Sequence, residues 1–147
     1  YLEKNMTLKL FKYIWLLPIL VGSSVYAEKD PWLKISEGNS AVGYINSDEI
    51  KVENHSKKIF RAWHKLVLKE HAVKEFKNKN LSYSVTLKEH DCINQTSKTL
   101  FMGMYDAKGS LIDSMQFNDA KPTFIVPDTM DQQLHVVVCG LGILSKS

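Results

Sequence analysis

The sequence predicts an α+β fold, an antiparallel sheet followed by one C-terminal helix. Two patterns predict it: short alternating or apolar stretches broken by turn residues up to residue 117, and a switch to helical period after Pro127. A third observation adds a staple. The chain has only two cysteines, Cys92 and Cys139, and both lie downstream of a segment with the character of an export signal. In an oxidising compartment such a pair reads as one disulfide rather than a metal site or a redox centre.

The export segment starts at Met6, leaving residues 1–5 as upstream sequence. Lys9 and Lys12 form a positive n-region, residues 13–21 an apolar core interrupted by Pro18, and Val25-Tyr26-Ala27 a small-x-small cleavage site. Cleavage after Ala27 is the expectation, so that residues 6–27 are a signal peptide and residues 28–147 one domain. The apolar stretch is shorter than the roughly 20 residues a membrane span needs. No cysteine stands near the cleavage point to carry a lipid, so no permanent membrane anchor is expected.

Strand candidates follow in order. Residues 32–35 and 43–45 are extended segments separated by Glu37-Gly38-Asn39-Ser40, which is turn chemistry, so a hairpin is expected. Residues 59–67 put Ile59, Arg61, Trp63, Lys65 and Val67 on one face and Phe60, Ala62, His64 and Leu66 on the other. Neither face is cleanly polar, which predicts a central strand covered on both sides. Residues 81–92 alternate more legibly, with Leu81, Tyr83, Val85 and Leu87 expected inside and Ser82, Ser84, Thr86 and Lys88 in water. Residues 99–105 and 110–117 form a second hairpin through Asp106-Ala107-Lys108-Gly109, whose glycine can take the positive φ of a tight turn. The lysine-rich stretch 70–80 reads as a mobile connection.

The last element is a helix, because Met130, Leu134, Val137, Val138 and Leu141 recur at spacings of three and four. Asp128 or Thr129 can cap it, and Gly140 and Gly142 are read as its stop. A disulfide from Cys139 to Cys92 would hold this helix against the end of the 81–92 strand. On the chain-entropy model a loop of that length is worth about 4 kcal/mol at most.

Charge names no partner. Without the leader, Lys and Arg nearly balance Asp and Glu, so nothing points to nucleic acid. A local basic run comprises lysines 57, 58, 65, 69, 74, 77 and 79 with Arg61; Lys74, Lys77 and Lys79 are its candidate partner contacts.

The order Trp32-x-Lys34-Ile35, Tyr44-Ile45-Asn46, Arg61-Ala62-Trp63, Asp91-Cys92, Tyr105-Asp106-x-x-Gly109, Ile125-x-Pro127-Asp128-Thr129 and Val138-Cys139 resembles the surface-adhesin protein E family of bacterial envelope proteins. The resemblance spans nearly the whole domain. It implies a bent antiparallel sheet of about six strands with the C-terminal helix disulfide-bonded to one face. It further implies binding to host matrix and serum proteins such as laminin, vitronectin and plasminogen. The family's founding adhesin is lipid-anchored through a cysteine this chain lacks, so a periplasmic accessory module, binding another envelope component or its own copy as a homodimer, is the competing expectation.

No catalytic constellation outweighs a structural role. The five histidines show no His-x-x-x-His spacing. His90, Cys92 and His135 could be arranged around a metal, but zinc needs free thiolates and export favours the disulfide. No phosphate loop or nucleophile elbow is present, so the chain is read as non-enzymatic, with no cofactor and no metal. Asn94-Gln95-Thr96 marks a polar loop, and Trp32, Trp63, Phe101, Met102 and Met104 are assigned to the core.

Overall fold

The computed structural model describes residues 30–74 and 80–145. The proposed leader and upstream residues, together with Lys77 and Lys79, lie outside the described residues.

The sheet runs β1 (Trp32–Glu37), β2 (Ala41–Asn46), β4 (Ile59–Leu68), β5 (Tyr83–Asp91), β6 (Thr96–Tyr105) and β7 (Leu111–Gln116) in spatial order, every pair antiparallel. Two short strands complete it: β3 (Lys51–Asn54) pairs the start of β4, and β8 (Thr123–Phe124) pairs the start of β6. Helix α1 (Glu70–Val73) is a single turn, and α2 (Met130–Leu144) closes the chain.

The expected hairpins form for the expected local reasons. Gly38 donates its N–H to the carbonyl of Ala41 between β1 and β2. Between β6 and β7, Gly109 takes φ +83°, and Asp106 Oδ1 accepts from the N–H groups of Lys108 and Ser110. Sequence reading missed β3 and β8, which are too short to show a period. The start of the 70–80 connection is likewise more ordered than expected, since Ala72 of α1 is buried.

Helix α2 packs on one face of the sheet only. Ile45, Phe60, Ala62, Leu134 and Val138 form the buried cluster, with Ile35, Ile50, Val52, Cys92, Met130 and Val137 around it. The Cys92–Cys139 disulfide ties α2 to the end of β5 across a sequence separation of 47. Thr129 caps the helix, accepting from the N–H of Gln132 at 3.2 Å.

Three expectations need correction. First, α2 runs through both glycines. A Cβ on Gly142 would lie 2.6 Å from the Phe60 ring, so that glycine is there to let the helix approach the sheet, not to end it. Gly43 does the same on the sheet side, where a Cβ would meet Met130 Sδ at 2.9 Å. Second, the alternation of β5 is inverted. Thr86 and His90 are buried, whereas Tyr83, Val85 and Leu87 share the other face, the one α2 leaves uncovered, with Val67, Lys65 and Trp63, to which they pair in register. Helix docking from far along the chain, not local polarity, decides which face is inside. Third, β4 is central but covered by the helix on one face alone. Trp32, Trp63 and Phe101 are accordingly half-buried on the open face rather than core residues.

The glycines allow a paired test. A Cβ on Gly140 would meet no atom beyond its own helix within 4 Å, so Gly140→Ala should stabilise the protein by roughly 0.5–1 kcal/mol through helix propensity. Gly142→Ala should instead lose about 1–3 kcal/mol from overpacking against the buried Phe60 ring. Urea denaturation of the two variants reads both signs.

Candidate functional site

Two regions carry chemistry: a buried histidine chain under α2, and the surface that α2 leaves uncovered. The histidines come from three elements. His64 on β4 and His90 on β5 point to the helix side of the sheet, and His135 sits on α2, one helical turn before Cys139. His64 Nε2 lies 2.9 Å from His90 Nε2, His90 Nδ1 lies 2.9 Å from His135 Nδ1, and His135 Nε2 lies 3.6 Å from Cys139 Sγ. All three side chains are buried, and His64 Nδ1 has no hydrogen-bond partner.

Burial depresses the basicity of all three. Loss of solvent, reinforced by the Lys88 charge, holds His64 near a pKa of about 3. Loss of solvent, reinforced by its histidine neighbours, lowers His90 to about 2, and His135 is shifted down by burial as well. The rings are therefore neutral at physiological pH, and each carries one N–H. A disulfide sulfur can only accept, so the His135–Cys139 contact is a hydrogen bond when His135 Nε2 bears the proton. His135 Nδ1 then accepts from His90 Nδ1, His90 Nε2 accepts from His64 Nε2, and His64 Nδ1 keeps a bare lone pair.

Beside His64 opens a cleft of about 340 Å³ between the sheet and the start of α2, with Leu66, Thr86, Met102, Met130 and Leu134 among its walls. Lys88 and Asp131 form an ion pair at its rim. Asp131 stands in the first helical turn, where the helix dipole favours an anion.

The opposite face is an aromatic and charged surface. Trp63 meets Phe101 edge to face at 5.9 Å between ring centres, and Tyr83 stacks on Tyr105 at 4.9 Å. The ammonium of Lys65 lies 4.8 Å from the Tyr83 ring centre and 5.6 Å from that of Trp32. Arg61 bridges Glu53 and Glu89, and Glu89 also pairs with Lys98. Partial burial opposes ionisation of Glu89, but the hydrogen bonds from Lys98 and Arg61 outweigh it and its pKa is lowered.

At one border of this face β7 is a sheet edge with all six residues exposed, Leu111, Ile112 and Met115 among them. An unprotected edge of this kind presents backbone groups ready to pair with another strand. The basic run, by contrast, does not gather into one patch. Lys65 joins the aromatic face, Lys69 pairs with Glu37 at 2.8 Å, and Lys74 is the exposed C-terminal cap residue of α1. His90, Cys92 and His135 do come together, though His90 reaches the sulfurs only through His135.

The buried histidines predict a pH dependence of stability. In the unfolded chain they titrate near 6.5; in the folded protein His64 and His90 lie far lower and His135 is lowered too, so the unfolded state binds protons first as pH falls. The stability they confer is complete above about pH 7 and is lost progressively between there and the folded-state values, about 3 for His64 and about 2 for His90. Each contributes a slope of up to about 1.4 kcal/mol per pH unit. Denaturation midpoints measured from pH 7.5 to pH 4.5 should fall steeply, and the slope should lessen in His64→Phe.

The architecture is similar to that of solved proteins. Two structures of Haemophilus influenzae protein E superpose with TM-scores of 0.54 and 0.53, each at 16% identity, covering 76% and 81% of this chain and 89% and 91% of the other. Protein E from non-typeable Haemophilus influenzae gives 0.52 at 17% identity, over 76% of this chain and 77% of that one. At such identities the likeness is one of fold. No curated protein matches the chain. The family described as Surface-adhesin protein E matches residues 32–140, most of the chain, and the chain therefore belongs to the surface-adhesin protein E family.

Proposed function

We propose that this chain is an exported, non-enzymatic adhesin that holds a host matrix or serum protein of the laminin, vitronectin or plasminogen class. Family membership supports an adhesin-like, surface-directed role. The observation that carries the reading within the molecule is the β7 edge, exposed along its full length and continuous with the aromatic face. An extended segment of a partner can add to such an edge by backbone hydrogen bonds, while Leu111, Ile112 and Met115 offer apolar contact. The stability of the domain is supplied by α2 and its disulfide, and no β7 residue belongs to the buried cluster, so occupying this edge disturbs no core contact.

Export relies on the proposed signal at residues 6–27, with release by cleavage after Ala27. Among the described residues no helix is long and apolar enough to cross a membrane. The segment bearing Lys74, Lys77 and Lys79 is proposed as an auxiliary, electrostatic contact.

The open edge also suits a second reading, in which the same strand pairs with another envelope component, or with β7 of a second copy, in the periplasm.

Surface plasmon resonance on immobilised laminin, vitronectin and plasminogen tests the proposal. Leu111→Lys with Met115→Lys should weaken binding by at least about tenfold, the loss of roughly 1.4 kcal/mol, with the far-UV spectrum unchanged. Reversing Lys74, Lys77 and Lys79 to Glu should produce a smaller loss that vanishes at high salt. Binding that ignores the edge variant removes β7 from the proposal. Absence of binding by the unmodified protein, with dimers by ultracentrifugation that the edge variant abolishes, selects the second reading.

A further inference from the structure

We infer that Cys92, Cys139 and His135 are a latent thiophilic-metal site, closed while the disulfide is intact and able to take zinc(II) when it is reduced. One ligand atom from each residue lies within 4.8 Å of the other two. His135 and Cys139 are one turn apart on α2 and so share a helix face, while Cys92 approaches from the end of β5. Two thiolates at the usual zinc–sulfur length of about 2.3 Å stand roughly 3.8 Å apart in tetrahedral geometry. With the two Cα atoms 5.9 Å apart, side-chain rotation can open the sulfurs to that spacing while the backbone stays in place.

The independent observation is the support behind the imidazole. Histidines that ligate metals almost always donate their other ring N–H to a fixed acceptor, which sets tautomer and orientation. His90 can become that acceptor for His135: the two Nδ1 atoms lie 2.9 Å apart, a contact that serves either direction of donation, and Nε2 is left as the atom directed at the sulfurs. His90 is held in turn by His64. Both cysteines are half-buried, which leaves the disulfide within reach of a small reductant and a fourth coordination position for water.

The chemistry balances with a dithiol as the reductant. The dithiol gives two electrons and two protons to the Cys92–Cys139 bond, becomes a disulfide itself, and leaves two protein thiols. Zinc(II) then displaces both thiol protons to solvent and takes the lone pair of His135 Nε2. That last step requires the proton of His135 to sit on Nδ1 instead of Nε2. The change passes along the chain with no net gain or loss of protons: His135 Nε2 releases its proton to solvent, His135 Nδ1 now donates to His90 Nδ1, His90 Nε2 donates to His64 Nε2, and His64 Nδ1 takes up one proton from solvent and becomes an N–H. The free nitrogen of His64 can accept this reversal because no partner fixes its polarity.

The full chain, with and without a phosphine reductant, is titrated with zinc(II), and cobalt(II) serves as the visible probe. The reduced protein should take one zinc per chain with native near-UV dichroism, and cobalt should show a thiolate charge-transfer band; the oxidised protein should take none. Zinc should raise the denaturation midpoint of the reduced protein in proportion to the logarithm of its concentration, a readout that persists even if reduction leaves the fold marginal. His135→Gln should bind at least about tenfold more weakly. Nitrogen-15 shifts of the imidazoles should report His135 protonated at Nε2 in the oxidised protein and at Nδ1 with zinc bound. The inference is overturned if zinc fails to stabilise the reduced chain, if His135→Gln binds as well as the parent, or if binding proceeds without native dichroism.

Discussion

The structure depends on how closely α2 can lie against β2 and β4. Gly142 faces the Phe60 ring and Gly43 faces Met130, and at each place a methyl group would collide. This approach brings Leu134 and Val138 into contact with Ile45, Phe60 and Ala62, and it sets Cys139 beside Cys92. A helix held one side chain further out would leave the apolar cluster open and the sulfurs unjoined. The disulfide therefore locks a geometry that packing first makes possible, and its contribution in restricting the unfolded chain adds to that packing.

The same approach explains why polar residues can be buried here. Thr86, His64 and His90 lie where an apolar layer would be expected, yet the histidines satisfy one another in a line that ends at the disulfide. Only one nitrogen among them, His64 Nδ1, is left without a partner. A buried polar chain of this kind is tolerable when each link supplies the next with a donor or an acceptor, and neutral rings do so without the cost of buried charge. The arrangement makes acid the natural denaturant, because protonating His90 or His135 sets two donors facing one another, and protonating His64 at its unpartnered Nδ1 leaves a charge buried without compensation.

Much of the fold was legible in the sequence, and the failures share one cause. The hairpins at residues 37–40 and 106–109 depend on neighbours in the chain, so residue type alone predicts them, and it narrows the helix cap to Asp128 or Thr129, of which Thr129 is the one that caps. The inverted faces of β5 and the glycines inside α2 depend on what docks from elsewhere. Ser84-x-Thr86-x-Lys88 reads as a wet face until α2 covers it, and Gly140-x-Gly142 reads as a helix stop until the Phe60 ring appears opposite Gly142. The histidine chain was hidden for a similar reason, since its members share no spacing. A partial signal was available: His64 has the same strand parity as Phe60 and Ala62, which places it inside with them. The exposed β7 edge had no signal of its own, because an edge is defined by which strand is missing beside it.

One-sided coverage divides the labour of the sheet. The helix-bearing face holds the apolar cluster, the histidines and the disulfide, and it tolerates little change because its contacts are close and mutual. The other face is held by ring stacking and by ion pairs among Arg61, Glu53, Glu89 and Lys98, interactions that survive solvent and can be rearranged one at a time. The proposed recognition surface needs that freedom, since altering it must not unfold the domain. Placing stability on one side and the proposed contact on the other allows the β7 edge to stay open, at the risk of unwanted strand pairing that a fully covered sheet would avoid. For the proposed protein partner, that exposed edge is the feature that packing among the described residues leaves available.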